Sequence, residues 1–131
     1  MSGRLFLDTN AVIELLKGNP EVIEIMSGAD FIACSIISEL EYLSFPNISS
    51  HDISLFSKFI ERITVVDLRH DDLAVKDLVS LIRKTRRVKL PDAVILASAK
   101  VHDCTLLTAD VKLTKVGDIV NVCSFKPLGS I

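Results

Sequence analysis

At 131 residues the chain is the length of one domain, a size that buries roughly two-thirds of its unfolded surface and supports its own core. Apolar residues make up 49% and tryptophan is absent, which predicts an aliphatic core, while a formal net charge of −2 gives no support for strong non-specific binding to polyanions, though a local basic strip can still meet one. The longest near-continuous apolar run, Ala93 to Ala99, falls far short of a membrane span, and the apolar segment after Met1-Ser2-Gly3-Arg4 meets Asp8 too soon for a signal peptide, so a cytoplasmic location is expected.

In chain order, Leu5 to Leu7 is a short apolar strand that ends on the carboxylate of Asp8. Thr9 and Asn10 suit the exit from a strand, and Ala11 to Lys17 predicts a helix that stops at Gly18-Asn19-Pro20. Pro20 opens a second short helix with Val22, Ile23 and Met26 on one stripe. Phe31-Ile32-Ala33-Cys34 is fully apolar, as strands buried on both faces are. Ser35 and Ser38 are alternative caps for a helix running to about Ser44. A polar loop at Pro46 to Ser50 leads to a helix opened by His51-Asp52, and Thr64 to Asp67 is a third strand. A long helix from about Asp71 to Arg86 carries the stripe Leu73, Val75, Leu78, Val79 and Ile82. It ends in a basic strip, Arg83 to Lys89, which suits the negative end of a helix dipole. Pro91 starts another helix, through His102. Strand four is Thr105 to Leu107, a helical turn covers about Val111 to Val116, and strand five is Ile119 to Cys123, ahead of a Phe125-Lys126-Pro127 tail. The alternation predicts an α/β fold with a parallel sheet covered on both faces, in one domain over residues 1–131. Cys34, Cys104 and Cys123 are widely spaced and read as small apolar residues. His51, His70 and His102, near helix ends, read as surface residues.

Four acids carry the functional reading. Asp8 and Asp110 each follow a predicted parallel strand, and such strands place their carboxyl ends on one edge, where open α/β sheets bind ligands. Thr108 offers a hydroxyl at the same rim. Asp92 falls in the first turn of a helix that is apolar around nearly its whole circumference, so it points inward or into a cleft. In Ser35 to Tyr42 the stripe Ile36, Ile37, Leu40 and Leu43 leaves Glu39 and Glu41 on opposite flanks, and periodicity does not choose between them. Ser38-x-x-Glu41 also fits a capping box. Carboxylates about 4 Å apart repel by on the order of 4 kcal/mol per pair at an effective dielectric near 20, so such a cluster calls for protons or a divalent cation. Oxygen-only ligands suit Mg²⁺ or Mn²⁺, and an all-acid site matches metal-assisted phosphodiester hydrolysis.

Asp8-Thr9-Asn10 after a strand, Ser35-x-x-Ser38-x-x-Glu41, Leu90-Pro91-Asp92-Ala93 through Ala97-x-Ala99, and Leu107-Thr108-x-Asp110 together resemble the ordered motifs of PIN-domain nucleases. The small form, with a short helical insert after the second acid, looks most like the VapC-type toxins of bacterial and archaeal toxin–antitoxin pairs. The resemblance implies a PIN-like three-layer α/β/α sandwich with a five-stranded parallel sheet and Mg²⁺- or Mn²⁺-dependent endoribonuclease activity on RNA. It also implies a homodimer and a cognate antitoxin. It makes Asp8, Glu41, Asp92 and Asp110 the metal-binding, catalytic acids, selects Glu41 over Glu39, and gives Asn10 and Thr108 supporting roles. One departure concerns a second metal site: many relatives carry another acid three or four residues past Asp110, where Lys112, Leu113 and Thr114 offer none. Arg86, Arg87 and Lys89 are candidate RNA-backbone contacts, with Lys112 and Lys115 weaker ones.

A phospho-accepting receiver domain, of the signalling class, is the rival arrangement. It would use Asp8, Asp67 ending strand three, Thr108 ending strand four and Lys126-Pro127 after strand five. Receiver domains usually pair two acids at the end of strand one, whereas Asp8 is followed by Thr9-Asn10. That reading also leaves Asp92 and Glu41 without a role.

Overall fold

A computed structural model describes residues 3–129. The strands are β1 (Arg4–Leu7), β2 (Phe31–Ser35), β3 (Thr64–Val66), β4 (Thr105–Thr108) and β5 (Val122–Ser124). The helices are α1 (Thr9–Leu16), α2 (Pro20–Ser27), α3 (Ile36–Leu43), α4 (Ser50–Ile60), α5 (Leu73–Thr85), α6 (Leu90–Val101) and α7 (Val111–Thr114). The strands form one five-stranded sheet in the order β3-β2-β1-β4-β5, with every neighbouring pair parallel.

The two-residue period of the strands divides the apolar side chains into two cores. Phe6 stands between Ala33 and Leu106 in register, and these three pack with Val75 and Ile82 of α5, the buried run of α6, and Leu113 of α7. Leu7 stands between Cys34 and Leu107, and these pack on the opposite face with Val12 of α1, Val22 of α2, Tyr42 of α3 and Phe56 of α4. The result is a three-layer α/β/α sandwich. Burying each leucine or phenylalanine stabilises it by roughly 1.5–3 kcal/mol. Ala93, Ala97 and Ala99 are fully buried, and their small side chains let α6 lie close under the sheet. All three cysteines are free, and burial pushes each thiol up, that of Cys34 to about 12, as expected of apolar fillers. No helix among the described residues is long and apolar enough to cross a membrane.

Several elements differ from expectation. Strand five lies at Val122–Ser124, not at Ile119 to Cys123. The Ile119 and Val120 amides instead donate to the Val116 carbonyl and close a turn, which buries Val120 as fully as a strand would. On α3 the buried positions are Ser38 and Tyr42, while Leu40 and Leu43 are exposed at 56% and 40%. Ser38 is small enough to admit α1 alongside, and the Tyr42 ring stacks on Phe56 with centroids 4.6 Å apart. Ser35 caps α3, so no Ser38–Glu41 capping box forms. A capping box appears instead at Ser49 and Asp52, ahead of α4. Leu73 stands outside the stripe of α5, exposed at 66%.

The topology also removes the receiver arrangement. Receiver sheets run 2-1-3-4-5 and place β1 between β2 and β3. Here β2 lies between β1 and β3, so Asp67 follows an edge strand, exposed and one strand removed from Asp8. The Lys126 backbone is bound to the α1–α2 corner through Asn19 and Glu21.

Candidate active site

The order of strands reverses between β1 and β4, and the crevice beyond such a switch point is where open sheets hold ligands. Asp8 leaves β1 there, its amide still donating to the Leu107 carbonyl at 3.0 Å. Its carboxylate caps α1, accepting from the Thr9 amide at 2.8 Å, so the helix starts two residues before the apolar run. Capping does not exhaust this group. Its Oδ2 accepts from the Thr108 hydroxyl at 2.7 Å and the Asn10 side-chain amide at 3.3 Å. Asp8 is only 5% exposed. Burial pushes its carboxyl up to about 6, and the charges of Asp92 and Glu41 push the same way, against the hydrogen bonds from Thr108 and Thr9.

Thr108 and Asn10 tie the two strand ends together. The Thr108 hydroxyl accepts from the Asp110 amide at 3.0 Å and the Asn10 side-chain amide at 3.2 Å, and Asn10 Oδ1 accepts from the Ala109 amide at 3.0 Å. Asp110 caps α7 through the Lys112 amide, 2.9 Å away. Across the crevice, Glu41 Oε1 accepts from the Thr9 hydroxyl at 2.5 Å, and Thr9 shares a further hydrogen bond of 3.0 Å with the fully buried Ser38. Asp92 sits in the first turn of α6, half-buried. Burial raises its carboxyl, helped by Asp110 and Glu41 and opposed by Lys89 and Lys112.

Asp8, Glu41, Asp92 and Asp110 line one cavity of about 270 Å³, with Thr9, Asn10, Ile13 and Phe45 completing the wall. Glu39 does not line this cavity. None of the four cavity acids is in a salt bridge with a described cation. Nor do three His, Cys, Asp or Glu side chains among the described residues close into a ready-made metal cage. The donor set nonetheless fits a hard divalent cation: all oxygen, without a salt bridge among the described residues, and mutually repelling.

Arg86 does not reach this cavity. Its guanidinium makes two contacts with the Asp118 carboxylate, one of them 3.1 Å long. Arg87, Lys89 and Lys112 line an adjoining hollow together with Asp92 and Asp110. His51 and His70 are exposed, as expected of surface residues, whereas His102 is half-buried at the end of α6. Thr9 and Ser38 stand inside the motifs that carry the family resemblance, but no role at the site followed for either from the sequence. The available signal was Thr9's place in the first turn of α1, directly after Asp8.

A model of the PIN domain matches residues 5–119 of the sequence. The chain belongs to the PIN-domain family. No curated protein matches it by sequence. Among solved structures this PIN domain is similar to VapBC2 from Rickettsia felis bound to a promoter DNA fragment, with 19% identity over 93% of this chain and 98% of that one, TM-score 0.75. It is also similar to VapBC-1 from nontypeable Haemophilus influenzae, with 22% identity over 92% and 96% of the two chains, TM-score 0.72. A toxin–antitoxin complex from Klebsiella pneumoniae follows, with 24% identity over 82% and 88%, TM-score 0.69. These likenesses bear out the PIN-like sandwich.

Because Thr9 orients Glu41, Thr9→Val is expected to lower any metal-dependent turnover about tenfold to a hundredfold, in the range seen for groups that orient ligands. The melting temperature of the metal-free protein should stay within a few degrees. Thr9→Ser should recover the rate, and a rate for Thr9→Val equal to the parent's would remove Thr9 from the site.

Proposed function

We propose that this PIN domain is a divalent-metal-dependent endoribonuclease and the toxin half of a toxin–antitoxin pair, acting in the cytoplasm. The observation that carries the reading is the single cavity lined by four acids, none of them in a salt bridge among the described residues. Membership of the PIN family and the likeness to toxin–antitoxin structures support it.

Asp8, Asp92, Asp110 and Glu41 would hold Mg²⁺ or Mn²⁺, which supplies a route to an activated water and charge stabilisation for the leaving oxygen of a phosphodiester. The chain's own residues prepare that site. Thr108 and Asn10 donate to Asp8 Oδ2 and fix which carboxylate edge faces the cavity. Thr9 does the same for Glu41. The buried neighbours of Asp8 keep bulk water from weakening the charges at the cavity floor.

The partners in this reading are RNA, a cognate antitoxin and a second copy of the chain. Exposed Leu40, Leu43 and Phe45 offer an antitoxin segment an apolar landing, and Phe45 also forms part of the cavity wall.

Purified protein is expected to cleave mixed-sequence RNA only when Mn²⁺ or Mg²⁺ is present, and Asp92→Asn should lower the rate at least about a hundredfold. Mn²⁺ at about a hundred times its dissociation constant should add about 2.7 kcal/mol of stability to the parent, read as a rise in melting temperature, and less to Asp92→Asn. No cleavage with either ion, together with melting curves that Mn²⁺ leaves unmoved, would leave a silent PIN-like binding module.

A further inference from the structure

We infer that unpaired RNA reaches the carboxylates along one flank only, over a phosphate track formed by Arg87, Lys89, Lys112 and Lys115. The inference rests on the nuclease reading and adds to it how the substrate is held.

Three hollows join end to end. The acidic cavity shares Asp92 and Asp110 with a hollow of about 120 Å³ that also takes in Arg87, Lys89 and Lys112. That hollow in turn shares Arg87, Val88 and Lys112 with another of about 260 Å³, which adds Arg86, Lys115 and Val116. A furrow thus leads from the acids out between the segment after α5 and the segment around α7. None of the four track side chains is in a salt bridge among the described residues. Arg86 differs: its pairing with Asp118 ties the end of α5 to the turn before β5, so it holds the two banks of the furrow together.

The opposite flank is built otherwise. Beyond Ile13 and Phe45 lies a hollow lined mainly by Leu16, Tyr42, Pro46 and Ile48. Its one cation, Lys17, is paired with Glu14.

Charge makes this asymmetry consequential. Four carboxylates without a salt bridge among the described residues repel a phosphodiester, so the substrate needs cations close by, and Lys89 and Lys112 are near enough to act on Asp92. Val88, Leu113 and Val116 give the furrow an apolar floor, which suits the sugars and bases of a single strand better than the continuous phosphate ridge of a duplex.

The test uses the full chain carrying Asp8→Asn, which removes cleavage, and a fluorescein-labelled single-stranded oligoribonucleotide followed by anisotropy. Between about 50 and 200 mM salt, binding should fall with a log–log slope near −3, about 0.7 for each phosphate neutralised. Adding Lys112→Ala and Lys115→Ala should flatten the slope by about 1.4. Lys58→Ala with Lys100→Ala should leave the slope unchanged. A slope that ignores Lys112 and Lys115, or that Lys58 and Lys100 alter equally, would overturn the track. So would capture of a glutamate-rich peptide through the same lysines without RNA binding. The two readings fail separately. If the parent chain cleaves RNA while the slope ignores the track, the nuclease stands and the track falls. If the track binds RNA and the parent chain never cleaves, the nuclease falls.

Discussion

Asp8→Asn is expected to lower any RNA cleavage roughly a thousandfold and, in the absence of metal, to make the protein more stable at pH 8. Both effects come from one cause. The Asp8 carboxyl is buried among Thr9, Asn10 and Thr108 beside two further acids, and burial lifts it from 3.8 to about 6. Between those values the folded protein binds a proton that the unfolded chain has already released. The stability contributed by the neutral form is therefore fully present below about pH 3.8 and is lost as pH rises through about 6. The swing is on the order of 3 kcal/mol. Asparagine is neutral throughout and does not undergo it. Metal-free melting curves of parent and variant should lie close together near pH 4, where hydrogen-bond mismatch at the new amide is the only difference. They should separate toward pH 8 by up to about ten degrees, with the variant higher. Mn²⁺ should raise the parent and not the variant, closing or reversing that gap. Parallel metal-free curves across this range would show that the Asp8 charge costs the fold nothing.

The parts of this architecture most legible in the sequence are those that short-range chemistry dictates. Leu5 to Leu7 ending on Asp8, and Leu106 to Thr108 followed by Asp110, identify two buried strands that end in polar groups. The parallel rule then brings those ends together, and the structure puts them on adjacent, paired strands. The strand order could not be read this way, because nothing local in Thr64 to Asp67 says that β3 belongs at an edge. The side of α3 that faces inward was also hidden. A helical stripe is found by looking for apolar residues, yet α3 buries Ser38 and exposes Leu40 and Leu43. Its contact is decided by a hydroxyl close to Thr9 and by one aromatic stack, neither of which registers as periodicity. This is why spacing left Glu39 and Glu41 undecided, whereas the folded chain puts Glu41 in the cavity wall and leaves Glu39 out of it. Arg86 shows the same limit for charge. In the sequence it is one of a run of cations, and only the distant Asp118 sets it apart from Arg87.

Thr108→Val is expected to cost about 2–4 kcal/mol of stability and to shift the pH at which stability is lost upward. Valine nearly matches threonine in volume, so packing at this fully buried position changes little. The hydroxyl, however, is the meeting point of three bonds: it donates to Asp8 and accepts from the Asn10 side-chain amide and the Asp110 amide. Among the described residues no buried side-chain nitrogen or oxygen lacks a partner, and deleting one hydroxyl leaves two donors without this acceptor, each at a cost of about 1–3 kcal/mol where buried. Asp8 also loses the hydrogen bond that does most to hold its carboxyl down, so its titration moves above 6 and the window of falling stability moves with it. Any cleavage should drop about tenfold to a hundredfold, because Asp8 is no longer oriented from the β4 side. Thr108→Ser keeps the hydroxyl and should restore the rate and the pH window, losing only the methyl's contribution to stability. Equal losses in the two variants would mean that the methyl, rather than the hydroxyl, holds this corner of the site together.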